Sequence, residues 1–190
     1  MRKRSRAEGA RDAIALLLED HRRLATMFED YEALVALEGA DDDKERLSAQ
    51  ACAELALHMQ IEEETFYPAV RAALDDEDRL DEAGDGHQGA RELMRRLECM
   101  EADDRRYDAT VKLLGERVVR HFGEEQDEIL PRAGKARLDF GALGLEMLAL
   151  RRALLAETKL AEAPGVEDGM RAARQAADHD GKPARNRRGG

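Results

Sequence analysis

Four of the five histidines, His21, His58, His87 and His121, are the residues of this chain best placed to do chemistry, because two of them open the same short frame. The frames are His58-Met-Gln-Ile-Glu62-Glu-Glu-Thr-Phe-Tyr-Pro68 and His121-Phe-Gly-Glu-Glu125-Gln-Asp-Glu-Ile-Leu-Pro131. Each reads His-x3-Glu, with a proline following at the same distance. On a helix, residues four apart are about one turn, or about 6 Å, apart along the axis, and side chains lean toward the N-terminus, so the carboxylate reaches back over the imidazole. One metal ion can take both. Four imidazoles and two carboxylates form a hard and borderline donor set suited to iron or manganese, of the kind built between facing helices. Two carboxylates from separate frames suit two ions, with Glu62 and Glu125 each offering one oxygen to either ion. Without metal these groups would be charges in an apolar interior, where an unpaired ion is costly or is forced to protonate. A bound cation reverses that preference and keeps the imidazoles neutral.

The same spacing describes the elements that must carry these residues. His21 and His58 lie 37 residues apart, His87 and His121 lie 34 apart, so each half is a helix with one His followed by a helix with His-x3-Glu. This is a duplicated helical hairpin. The midpoints fall at Gly39-Ala40 and at Asp104, in or beside expected turns, and folding about them brings paired histidines to one height. Apolar residues recur at helical spacing from Asp12 through Leu17, Leu24 and Phe28 to Gly39. A second helix runs from about Lys44 through Leu55 and Ile61 to about Leu74, with Pro68 as a possible kink. After an acidic connection from Asp75 to Asp78, a third is marked by Leu80, Ala83, Ala90, Met94 and Leu97, with His87 in the gap of the series. A fourth carries Tyr107, Val111, Leu114 and Val118 into His121 and stops near Pro131 and Gly134. Asp139 reads as the N-cap of a shorter fifth helix through Leu143 and Met147 to about Leu160.

Composition agrees with this all-α reading. Charged residues make up 38% of the 190, aromatics 4%, and tryptophan is absent, the balance of solvated helices rather than of a strand-rich sandwich. A net charge of −11 argues against nucleic acid or anionic lipid as partners. No apolar run reaches the length of a signal peptide or a membrane span, and the expected location is cytoplasmic. Cys52 and Cys99 have no ligand spacing and are read as buried, reduced thiols. The expected organisation is a basic flexible N-terminus over 1–11, one domain over 12–162 and a disordered tail over 163–190, which contains the fifth histidine, His179.

The sequence resembles the hemerythrin-like, or HHE cation-binding, single-domain proteins over roughly residues 10–160. The resemblance rests on Asp12-Ala-Ile-Ala-Leu-Leu-Leu-Glu-Asp-His21, on His58 to Pro68, on Asp81-Glu-Ala with His87 after it, on His121 to Pro131, and on Leu138-Asp-Phe-Gly-Ala-Leu-Gly. It implies an up-down four-helix bundle, here with an additional short C-terminal helix. Within the bundle it implies an oxo- or hydroxo-bridged non-haem di-iron centre, two Fe per chain, used for O2 binding, O2 sensing or reaction with peroxide. On this resemblance His21, His58, His87 and His121 are the terminal imidazole ligands, and Glu62 and Glu125 the bridging carboxylates. The small-molecule partners are O2 or H2O2, and no protein partner is implied. One departure stands out: oxygen-carrying hemerythrins place a fifth histidine one turn from the ligand on the third helix, where this chain has Ala83 and Arg91. The iron concerned would keep water or take another side chain, for which Glu54, one turn before His58, is a candidate. The open position favours a peroxide-consuming, catalase-like activity as the alternative to O2 binding, and a plain iron-binding or iron-sensing module is a third reading.

Each residue also has a plainer reading. A single histidine on an apolar face is more often a hydrogen-bonded core residue than a ligand, but four at matching heights would need four separate sets of buried partners. Glu63, Glu64, Glu124 and Glu128 are read as solvated or supporting residues, and Tyr67 and Tyr107 as core or interface aromatics rather than redox residues. Gly84 and Gly86 are read either as a frayed helix start or as space for a small ligand.

Overall fold

The computed structural model describes residues 12–37, 39–74 and 77–161, without the side chains of 77–79 and 159–161. The expectations of a flexible N-terminus over 1–11 and a disordered tail over 163–190 lie outside the described residues. Among those described, the secondary structure is helical, with no strand. Helix α1 (Ala13–Val35) starts on Asp12, whose carboxylate accepts from the Ala15 backbone N–H at 2.8 Å and satisfies one of the donors a helix start leaves free. Leu17, Leu24, Phe28 and Tyr31 are buried along one stripe of α1, and His21 lies in it. The chain reverses at Gly39, whose φ of 75° is a left-handed conformation that a side chain would strain. Helix α2 (Asp41–Ile61) follows, with Asp41, Asp42 and Asp43 in its first turn, where the helix dipole favours negative charge.

From Glu62 the helical path continues but widens. Glu62–Phe66 is a π-helical turn, and α3 (Tyr67–Ala73) resumes with Pro68 in its first turn. The second half repeats this design: α4 (Glu77–Leu97) and α5 (Tyr107–Glu124) are followed by a π-helical turn Glu125–Ile129 and by α6 (Leu130–Ala133), with Pro131 in its first turn. Both prolines therefore sit where a missing N–H costs little. The expected kink at Pro68 is instead a wide turn ahead of the proline. Helix α7 (Phe140–Ala161) starts with the Asp139 carboxylate accepting from the Ala142 N–H at 3.0 Å, as an N-cap does, and buries Leu143 and Met147.

Helix α1 packs on α2 and α5, and α4 packs on α5 and α2. Leu24, Phe28, Leu55, Leu93, Leu114 and Val118 form the middle of their shared core, each such side chain contributing about 1.5–3 kcal/mol of burial. The chain divides into two compact units, Met1–Leu150 and Arg151–Gly190. The first contains the four histidine-bearing helices. Of the second, the described part is the helical stretch 151–161. The cysteines need correction: both are free, but Cys52 is only half-buried and Cys99 is exposed. Burial pushes the Cys52 thiol up to about 11.

Candidate metal centre

His21, His58, His87 and His121 come from α1, α2, α4 and α5 in turn, and all four are buried. Glu62 and Glu125 open the two π turns and are 0% and 1% exposed. The six side chains meet. His58 Nε2 and His87 Nε2 each lie 3.2 Å from Glu62 Oε2. His21 Nε2 lies 3.3 Å from Glu125 Oε2 and 3.9 Å from Glu62 Oε1, and His121 Nε2 lies 3.7 Å from Glu125 Oε2. The donors form two groups, each with its atoms within 4.8 Å of one another: His21, His58, Glu62 and Glu125, and Glu62 with His87 and His121. Glu62 belongs to both groups, and Glu125 Oε2 faces one histidine of each.

These side chains fit a cation better than they fit one another. Among the described residues, His21 Nε2, both ring nitrogens of His58, Glu62 Oε1 and Glu125 Oε2 are buried without a hydrogen bond, a state native interiors avoid unless something else satisfies the lone pairs. Imidazole nitrogens and carboxylate oxygens turned toward one another at these distances satisfy a cation of the iron or manganese type. The space is shaped for the ligands too. Gly86 sits inside α4, and a Cβ there would come 3.0 Å from His121 Nδ1. The missing side chain thus makes room for an imidazole, not for a frayed helix start.

Charge is concentrated here. Burial resists ionisation of Glu62, but His58, His21 and His87 hold its carboxyl well below the usual range. Burial resists protonation of His21, yet Glu125 and Glu62 outweigh it and raise the imidazole to about 9. His87 is raised in the same way, against its burial, by Glu62 and Glu63. His121 is lowered, by burial and by the nearby His87, whose Nε2 is 3.0 Å from its own.

Tyr67, expected as a core or interface aromatic, stands at this site. Its hydroxyl donates to Glu125 Oε1 at 2.5 Å and lies 3.3 Å from Glu62 Oε2 and 3.4 Å from His87 Nε2. Burial and the two carboxylates push the phenol well above its ordinary pKa. The phenol is a buried oxygen among the donor atoms. Glu54, the substitute ligand expected from the sequence, is engaged elsewhere, pairing with Arg23 at 2.6 Å, and Arg91 pairs with Glu63 at 2.6 Å. Ala83 is buried and lines a cavity of about 320 Å³ together with His121, Glu125, Glu82, Glu124 and Glu128.

Two of the outer ring nitrogens have partners of their own. His87 Nδ1 is 2.8 Å from Glu63 Oε1 and Gln126 Nε2 is 3.3 Å from His21 Nδ1, whereas Asp20 faces His58 Nδ1 at 3.6 Å, beyond hydrogen-bond reach. Glu63 is therefore a supporting residue of the site, not merely a solvated one.

Helical hairpins in tandem that enclose a buried His and Glu cluster define a cation-binding helical protein. The chain belongs to the hemerythrin HHE cation binding domain family, whose pattern it matches over residues 12–133. Its fold is similar to the crystal structure of a hemerythrin HHE cation binding domain-containing protein from Mycobacterium kansasii, with a TM-score of 0.68 at 17% identity over 82% of this chain and 94% of that one. Comparison with the curated proteins finds no match.

Proposed function

We propose that residues 12–162 form an up-down four-helix bundle with an additional C-terminal helix, holding a carboxylate-bridged di-iron centre that binds or responds to O2. The observation that carries this reading is the two donor groups joined through Glu62, with Glu125 Oε2 facing a histidine of each. His21, His58, His87 and His121 would be the terminal ligands, and Glu62 and Glu125 the bridges. Two irons there would supply two one-electron redox changes and a Lewis-acidic position for a small oxygen molecule.

The protein's own groups prepare that chemistry. Packing on four helices fixes the donor atoms before metal arrives, so little ordering is left to be done on binding. Tyr67 holds its proton on Oη against Glu125 Oε1 in the metal-free site, and a cation on the carboxylates would favour its release. The apolar surroundings, with Phe122 stacked 4.0 Å from His21, keep water away from the His21 side.

A second reading, consumption of peroxide by disproportionation to O2 and water, is favoured by one observation. Ala83 stands on the cavity that reaches His121 and Glu125, so no side chain from that position blocks the approach of H2O2. Iron-reconstituted protein should carry close to two irons per chain. In an anaerobic-to-aerobic optical titration, a reversible charge-transfer band would support O2 binding, and rapid O2 evolution on adding H2O2 would support the enzyme. Two irons with neither response would leave iron binding or sensing as the function. A plateau at one metal per chain would sink the dinuclear centre.

A further inference from the structure

The duplication that places the six donors also places the residues behind them, and there the two halves differ. The residue following Glu62 is Glu63, which turns to the first-helix histidine of the other hairpin, His87. The residue following Glu125 is Gln126, which turns to His21, the corresponding histidine of the first hairpin. Position for position the two are equivalent, but one is a carboxylate and the other a neutral amide. The carboxylate is also anchored: Glu63 Oε1 accepts from His87 Nδ1 at 2.8 Å, while Glu63 Oε2 accepts from Arg91 Nη2 at 2.6 Å. Gln126 has a longer contact, 3.3 Å. Asp20 has the same layout on the first side, Oδ1 on Arg23 and Oδ2 toward His58, but at 3.6 Å it is beyond hydrogen-bond reach of His58 Nδ1, which is left without a hydrogen-bond partner.

A carboxylate that accepts the outer N–H of a ligating imidazole fixes the tautomer, aims the inner nitrogen at the metal and makes it a stronger donor. Gln126 instead presents its amide Nε2 to His21 Nδ1, a donor that cannot accept the outer N–H and adds no negative charge behind the imidazole. Arg91 occupies one of the two places where an oxygen carrier would put its extra histidine, and here it serves to hold Glu63.

We propose that Glu63, anchored by Arg91, is a positioning residue that makes the His87 half of the metal centre the more electron-rich one, and that the Glu63/Gln126 difference sets which ion of the pair is oxidised first. This inference rests on the di-iron reading above. A stronger donor stabilises the higher oxidation state more than the lower, so the ion on His87 has the lower reduction potential.

The test uses the full chain, reconstituted with 57Fe, as parent, Glu63→Gln, Gln126→Glu and the double exchange. Metal content is read first, and a parent that does not take up two irons fails the di-iron reading itself. With two irons bound, the parent should show two unequal Mössbauer doublets and two separated reduction steps. Glu63→Gln should bring the doublets together, raise the lower reduction step by about 59 mV for each tenfold loss of preference for the ferric ion, and weaken one metal equivalent by about 10-fold to 100-fold. Gln126→Glu should lower the potential of the other ion, and the double exchange should restore two unequal sites. Because Glu63 is about one-third exposed, a variant there does not empty the core. Two irons with unchanged doublets and potentials in Glu63→Gln would overturn the proposal while leaving the di-iron reading in place, as would a shift of equal size from Glu124→Gln, which has no contact with an outer ring nitrogen.

Discussion

At the scale of single residues, the six donors were legible because each is a chemically expensive group to bury and because they recur in one frame. Tyr67 was not, although it touches both carboxylates. Five residues on from Glu62, it would lie about 140° around a regular α-helix and so be assigned to another face. The π turn between them is what brings Oη back to Glu62, and Leu130, five residues on from Glu125, holds no oxygen that could have made the pattern repeat. Glu63 stayed between a solvated and a supporting role for a related reason: its partner His87 lies on a different helix, which the periodicity of one helix does not reveal. If Tyr67 Oη donates to iron, the ferric protein should show a phenolate-to-iron absorption in the visible. Tyr67→Phe should abolish that band and weaken metal binding by about 10-fold, with helicity unchanged by circular dichroism. A band that survives the substitution would limit Tyr67 to hydrogen bonding with Glu125.

Among the elements, the two π turns carry the largest difference between expectation and structure. Helical periodicity fixed the histidine-bearing stripes within a few residues of their observed bounds, since apolar burial dictates them. A one-residue widening leaves almost no trace in that periodicity, and only the repeated proline hinted at it. The glycines of α4 were similarly ambiguous, because a sequence does not say whether missing volume is occupied by a neighbour. Here the neighbour is His121. Gly84 has nothing within 4 Å of a Cβ placed on it, whereas the same addition at Gly86 presses on the His121 ring at 3.0 Å. Gly84→Ala should therefore stabilise the protein by up to about 1 kcal/mol through helix propensity alone and bind iron as the parent does. Gly86→Ala has the same propensity gain but must displace His121 by a few tenths of an ångström, so one metal equivalent should weaken. Isothermal titration with Fe(II) under anaerobic conditions separates the two variants, and equal affinity in both would show that His121 does not need the space.

For the whole molecule, an acidic chain of net charge −11 encloses a site where protons compete with metal for the imidazoles. Among the described residues no helix is long and apolar enough to cross a membrane. The buried polar groups at the centre have to be balanced by one another or by a cation. In the metal-free protein that balance is protonic. His21, at about 9 in the folded state against an ordinary 6.5, binds a proton more tightly folded than unfolded. Its contribution is complete below about pH 6.5 and is lost as the pH rises through about 9, because over that range the folded chain still holds a proton that the unfolded chain has released. His87 is raised and acts in the same sense. His121 is lowered and acts oppositely, but it withdraws stability only as the pH falls toward and below its ordinary 6.5. Glu62 is ionised in both states throughout this window and adds no slope. The metal-free protein should thus lose stability steadily between pH 6.5 and 9. Metal removes the cause, since a nitrogen that donates to a cation carries no proton, so the iron-loaded protein should lack this decline and iron affinity should rise across the same range. Urea unfolding midpoints of the metal-free and iron-loaded forms at pH 6.5, 7.5 and 9 measure both slopes. A metal-free midpoint that is flat or rises with pH would mean that the site is not held together by shared protons, and that the carboxylates are neutralised by some other means before metal binds.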